Sequence, residues 1–499
     1  MTYDSPVAAH LAMLRIGKPL HAAVVALAIG GVLTTYPTPS VAGWTRPQTV
    51  TSGSPLFGEP LLFAGPAGEL LSWSYAAAPH RTEGAGESVA GAEMHFGSPR
   101  PLPYGINGRR LVDLGGGRVA QLILKPTGLN TSAMSVSLGS TNGVFSHPLH
   151  ANGSVYAGRA SLAGDRRGDL LLAWIAANGN GSHRQVWASV RPPGKGFAAP
   201  RLINGSAEAE QVQTGVGVGG AMAIAFASKE PHELMFARVR PPRGRWGPQQ
   251  NIGPAAEGAE NDTSIFVTAA GDAIVAWYHT QACAAGCESP GFVDVAVHRA
   301  HARRFAPVQL LWRSTYGLIG VSSGISLAPA LAAAPGGAPL VAFLARVGSA
   351  GPSTTPLVPT AVMVATPSGS RYGAAHEISP PGQQEADVAA AAGTHGALVT
   401  WIKVEPLHFG GPVVAAIGDV RGHFGAPEQI SPLEEAFKAV PVFNPNGRWP
   451  ANETGPWTVA WTGRAFGLPP AASVTETVSA SAPLCPLPPA APDPACVGG

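Results

Sequence analysis

One pattern constrains this chain more than any other. A glycine, a short apolar run and a large aromatic recur as Gly68 to Trp73, Gly168 to Trp174, Gly220 to Phe226, Gly271 to Trp277, Gly337 to Phe343, Gly396 to Trp401 and Gly455 to Trp461. A weaker copy beginning at Gly117 is centred on Leu122. Taken from aromatic to aromatic, with Leu122 for the weak copy, the spacings are 49, 52, 52, 51, 66, 58 and 60 residues. Each run is rich in Val, Ile, Leu and Trp, is bounded by turn residues and is too short for a helix, so it predicts a buried strand. A self-similar period of this size implies units that stack on one another rather than independent domains.

A second pattern follows each first one by 20 to 29 residues: an aromatic beside Gly or a small residue, usually with Pro close behind. The copies are at Phe96, Phe145, Phe197, Trp246, Phe305, Tyr372 and Phe424. Between the two patterns lies another short strand, as at Val186, Leu234, Val293, Ala361 and Val413, followed by a tight turn. Ahead of each first pattern is a strand of small residues, as at Arg159, Gln213, Ser264 and Ser326. Four strands per unit, with small residues innermost, predict an all-β fold: a β-propeller of about eight four-stranded blades, with seven as the alternative. The last unit lacks its second pattern. Trp44-Thr-Arg-Pro-Gln, near the start of the chain, supplies a match to Trp246-Gly-Pro-Gln. The N-terminal strand is therefore expected to complete the C-terminal blade and close the ring, burying two faces that open ends would expose.

The chain ends read differently. Arg15 and Lys18 precede an uncharged run from Ala22 to Leu33, then Pro37, Pro39 and a small-residue site ending at Ala42. That order predicts an export signal over 1–42, cleaved after Ala42. The run of 12 residues would span about 18 Å as a helix, short of a ~30 Å hydrocarbon core. The propeller is expected over 43–481, followed by a Pro-rich tail over 482–499. Export fits an even number of cysteines. Cys283 with Cys287 and Cys485 with Cys496 are the simplest disulfides of three possible connectivities. A secreted or extracytoplasmic location follows, with no membrane span after cleavage and a monomeric state.

Composition removes several classes. Charged residues are 12% and hydrophobic residues 45%, which excludes a disordered chain. A net charge of +2 gives no footprint for nucleic acid. Lys is 6 of the 32 basic residues, and with abundant Ala and Gly this composition matches a GC-rich bacterial genome.

On the two repeated patterns, over roughly 44–480, the chain resembles secreted bacterial β-propellers of the sialidase-like superfamily. The resemblance implies architecture more than activity. Asp boxes of the form Ser-x-Asp-x-Gly-x-x-Trp do not occur; Asp165 to Gly168 is a loose echo. No catalytic set of that family maps onto this sequence, so the catalytic residues are unknown and no family residue is carried over.

Long connections between second and third strands make the default binding surface. They contain His80 and Arg81, then Lys229, Glu230, His232 and Glu233, then Tyr278 and His279 just after Trp277. Glu230 with Glu233 has the residue types of an acid/base pair, and a solvated loop of mixed charge is the plainer alternative. His298 and His301 fall in a short turn at the other face and are expected to be exposed. The recurring Trp and Phe residues read as blade-packing core. Six Asn sequons, at 130, 152, 180, 204, 261 and 452, are expected to form turns. No cluster points to a metal or other cofactor. The function expected is a non-catalytic binding or scaffold propeller for a protein or cell-envelope glycan, with a glycan-cleaving hydrolase of sialidase-like fold as the alternative.

Overall fold

Among the described residues of the computed structural model, all regular structure is β. These residues lie between 48 and 480, within the unit Ser40–Gly499. Outside them are 1–47, 53–59, 66–67, 77–82, 91–95, 99, 102–110, 129, 178–182, 206–207, 229–232, 256–262, 282–289, 315–326, 348–358, 394–395, 405–409, 432–433, 444–456, 466–472 and 481–499. The export segment, all four cysteines and the Pro-rich tail therefore fall outside the described residues. No helix among those described is long and apolar enough to cross a membrane.

Among the described residues, eight four-stranded antiparallel sheets follow one another along the chain. Their innermost strands are Leu61–Gly65, Leu111–Gly115, Ala160–Gly164, Ala209–Val216, Thr263–Val267, Ala330–Ala332, Glu385–Ala392 and Glu434–Phe443. Each touches the next, and the last touches the first, so the sheets form the blades of a closed propeller ring. Blades are numbered here from the sheet that starts at Leu61.

The repeated glycine-apolar-aromatic run is the second strand of every blade, as in Leu170–Ala176 and Ala273–Thr280. Its apolar residues are continuous because both faces are covered. In blade 3, Leu170, Leu172 and Trp174 pack toward blade 2, while Leu171, Ala173 and Ile175 pack toward Met222, Ile224 and Phe226 of blade 4. An antiparallel strand with one wet face would alternate instead. Trp174, Phe226, Trp277, Phe343, Trp401 and Trp461 are at most 1% exposed, which bears out their reading as core. The Trp73 side chain lies outside the described set.

Two of these tryptophans lock neighbouring blades together. The Trp277 ring lies over Gly253 in the outermost strand of blade 4, and its Nε1 donates to the Pro254 carbonyl at 2.8 Å. Trp174 lies over Gly153 of blade 2 in the same way. Both glycines have positive φ, +148° and +140°.

The ring closes as the sequence suggests. Gln48–Ser52 pairs antiparallel with Ser473–Ala480 as the outermost strand of blade 8. Blades 8 and 1 share a small core that includes Leu62, Leu71 and Ala460. The Thr458 hydroxyl donates to Glu69 Oε1 across that junction at 2.7 Å, with both residues buried.

Candidate functional site

The two ends of the ring differ in construction. Connections from second to third strands, such as 177–184 and 281–290, are long and leave from one end. The hairpins joining first to second and third to fourth strands are short and share the other end. There they bond to one another: Thr141 N donates to Gly117 O, Arg299 to Gly369 O, and Thr366 to Arg421 O.

At the long-loop end, His80, Arg81, Lys229, Glu230 and His232 lie outside the described residues. Glu233 is half-buried, and its carbonyl accepts from Ala255 N. Tyr278 and His279 are corrected in placement. They are not loop residues but belong to the strand Ala273–Thr280, and each is 5% exposed. His279 Nε2 meets Asp294 Oδ2 at 3.0 Å, inside a pair of buried side chains. Its ring stacks on Phe292 with centroids 4.9 Å apart and planes at 11°. The Arg313 guanidinium lies 5.6 Å from the Phe292 centroid. The cluster crosses three strands of one blade and fixes the strand ends from which 281–290 departs. The sequence reading missed Asp294, because a strand partner 15 residues away leaves no local signal.

A second buried acid sits at the same end. Glu385 begins the innermost strand of blade 7 and is fully buried, with the Trp401 side chain beside its carboxyl group. Burial pushes its pKa up to about 8, against the pull of Lys403. Two residues on, Asp387 has φ +48° at an irregularity in the strand pairing. A non-glycine residue in this region stores strain.

Among the described residues, exposed cations recur along the short-turn end. Arg166 and Arg167 occupy one hairpin of blade 3 and Lys195 the other. Arg243 and Arg245 follow in blade 4, Arg303 and Arg304 in blade 5, Arg371 in blade 6 and Arg421 in blade 7, all exposed. Three of the acids at this end are occupied by their own turns. Asp165 Oδ1 accepts the N–H groups of Arg167, Gly168 and Asp169. Asp419 Oδ1 accepts those of Arg421 and His423, and these bonds with the His423 side chain hold its carboxyl below the ordinary range in spite of burial. Asp272 takes Arg299 at 2.7 Å and Ala300 N at 2.8 Å. These carboxylates shape turns whose tips present cations. At the long-loop end Arg184 pairs with Glu210 at 3.7 Å.

His301 is exposed as expected. His298 is not: it ends the strand Gly291–His298, is 6% exposed and packs edge-on against Phe305. Burial lowers its pKa, opposed by the charge of Asp272. Its place at the end of a strand, rather than in the turn, is what buries it. Asn204 likewise turns inward, with Oδ1 accepting Val186 N at 2.9 Å. Among the described residues no three His, Cys, Asp or Glu side chains converge to hold a metal.

Two grooves open between outer parts of neighbouring blades. One, of about 190 Å³, lies between blades 3 and 4 and includes Arg201, Arg240, Arg245 and Trp246. The other, of about 680 Å³, lies between blades 4 and 5 and includes Gln250, Asn251, Arg304 and Phe305. Both use the second repeated pattern, whose Pro follows the aromatic. A signal for them was present in the sequence: a basic residue directly precedes the aromatic in Arg245-Trp246, Arg304-Phe305, Arg371-Tyr372 and His423-Phe424.

No protein-family model matches the sequence, and no curated protein matches it. Solved structures that resemble it include the β-propeller domain of the Trilobed protease from Pyrococcus furiosus, at 8% identity and TM-score 0.40, covering 75% of this chain and 96% of that one. A protein of unknown function from Dyadobacter fermentans is 12% identical with TM-score 0.36, covering 89% of this chain and 100% of that one. A variant of the NanB sialidase from Streptococcus pneumoniae is 10% identical with TM-score 0.36, covering 88% and 71%. The chain's own strand order and ring closure make it a β-propeller.

Proposed function

We propose that this chain is an exported, non-catalytic binding propeller that holds a polyanionic glycan of the cell envelope at its short-turn end. The observation that carries this reading is the separation of charge. Exposed arginines recur from blade to blade at one end, while Asp165, Asp272 and Asp419 beside them are engaged by backbone amides or by Arg299. A repeating cationic end suits a repeating anion, because each blade offers one contact and the contacts act together. Arginine, which forks onto carboxylate or sulfate, is the residue such recognition favours. The long-loop end, where the sequence places recognition, is left for a more specific contact with the same glycan or with a protein.

The test is retention of the full chain on columns of polygalacturonate, heparin and dextran. Elution from the two anionic columns between about 0.2 and 0.5 M salt is expected, with no retention on dextran, since exposed charges are screened over about 8 Å at physiological ionic strength. Equal behaviour on all three would overturn the reading. Release of reducing ends from either polymer would remove its non-catalytic part.

A further inference from the structure

The groove between blades 3 and 4 has more structure than a charged surface needs. Its wall from blade 3 is Ala188, Val190 and Arg201, and its wall from blade 4 is Arg240, Arg245 and Trp246. Arg201 lies in the outermost strand and Arg245 in a hairpin, and both are exposed. Arg240 is held by two contacts: Nε donates to the Gly244 carbonyl at 2.9 Å and Nη1 reaches Met222 Sδ at 3.3 Å. Among the described residues no carboxylate is within ion-pair distance of these three guanidinium groups. Burial lowers the Arg240 pKa; the nearby charge of Asp169 opposes this, and the smaller repulsion from Arg201 adds to it. Trp246 is half-buried, its inner side packed on the core shared by blades 3 and 4.

Three guanidinium groups lining one groove, two of them exposed and none in an ion pair among the described residues, leave positive charge that a bound anion offsets. A flat aromatic beside them adds an apolar platform. The two features together fit a ligand with one flat apolar face and one planar or tetrahedral anionic group.

We propose that this groove is a subsite for one anionic sugar, with its pyranose ring against Trp246 and its carboxylate or sulfate among Arg201, Arg240 and Arg245. The proposal rests on the reading above that the short-turn end binds a polyanionic glycan, and it names the residue class that the end selects. It places selection at the rim between two blades rather than on the central axis.

The test uses the full chain, titrated with a trigalacturonate, a heparin tetrasaccharide, polyphosphate of matched charge and a short DNA duplex. Binding is read by calorimetry and by tryptophan fluorescence, with Trp246→Phe identifying the signal of that indole. At least one of the two sugars is expected to perturb Trp246 and to bind at least about tenfold more weakly to the Arg201→Gln/Arg245→Gln variant, since each charge-assisted contact contributes about that factor. The relative response to the two sugars distinguishes carboxylate from sulfate. Lys195→Gln, on the same end but outside the groove, is expected to change affinity less than about threefold. Because Arg201 and Arg245 are exposed, an unchanged melting temperature separates lost contact from lost fold. The subsite is overturned if the double variant binds as wild type does, or if polyphosphate and DNA show the same dependence on Arg201 and Arg245 as the sugars. In those cases column retention on anionic glycans still supports the proposed function. If the wild-type chain binds no polyanion, both readings fall.

Discussion

Replacing Gly253 by alanine isolates the contact that joins blades 4 and 5. Two costs add at this position. The backbone has φ +148°, in a region that side chains avoid, and forcing alanine there costs about 1–3 kcal/mol. The added methyl would lie 2.8 Å from the Trp277 ring, which is held by its hydrogen bond to Pro254 O. Overpacking of that kind costs a further ~1–3 kcal/mol. The total expected is about 2–6 kcal/mol, a large part of the stability of an ordinary domain. Two other glycines separate the terms. Gly194 has φ +69° but nothing within 4 Å, so alanine there should cost only the backbone term, about 1–2 kcal/mol. Gly196 also has open space, without a positive φ, and alanine there should be neutral within about 0.5 kcal/mol. Urea unfolding midpoints of the three variants give the order directly, provided their slopes agree. Gly153→Ala, which meets Trp174 at 2.6 Å, should repeat the Gly253 result. If Gly253→Ala falls no further than Gly194→Ala, the tryptophan yields to the methyl and the inferred lock between blades is wrong.

Further perturbations follow from the same geometry. Glu385 has a folded pKa of about 8 against 4.5 for the ordinary carboxyl, so the folded state holds the extra proton between those values. Stability should therefore fall by a few kcal/mol as pH rises from about 5 to 8 and then level off. Glu385→Gln should remove that dependence, and an unchanged pH–stability curve would show that the site does not titrate this way. His279→Ala and Asp294→Ala should each cost about 1–3 kcal/mol, and the double variant clearly less than their sum, because each single change strands a buried partner; additive losses in a double-mutant cycle would contradict the pairing. A chain lacking residues 1–52 exposes the edge of Ser473–Ala480 and should melt lower and aggregate, and a peptide spanning 44–53 should restore the melt. Indifference to the truncation would mean the ring does not depend on its closing strand.

Much of the architecture was legible because it is written locally and repeatedly. The apolar runs ending at Trp174, Phe226, Trp277 and Phe343 are strands buried on both faces, and such strands need no alternation to be recognised. The match of Trp44-Thr-Arg-Pro-Gln to Trp246-Gly-Pro-Gln placed the closing strand correctly, since the strands that follow do the same job in blades 8 and 4. Residue-level sites were less legible. Tyr278 and His279 looked like loop residues because nothing in the sequence marks where a strand stops once its apolar run has ended. His298 looked exposed for the same reason at the other end.

The sequence by itself determined the all-β class, the repeating unit, the aromatic core positions and the way the ring closes. All are fixed by turn residues and apolar periodicity within a single unit or by comparison between units. Only the tertiary structure decided what lies between units. It put Trp277 on Gly253 and Arg201 beside Arg245, and within one blade it turned Asp294 toward His279. It also gathered exposed arginines from blades 3 to 7 at one end. Such contacts join residues tens of positions apart, and their geometry depends on how neighbouring blades pack. That packing is a property of the closed ring, which no single stretch of the chain contains.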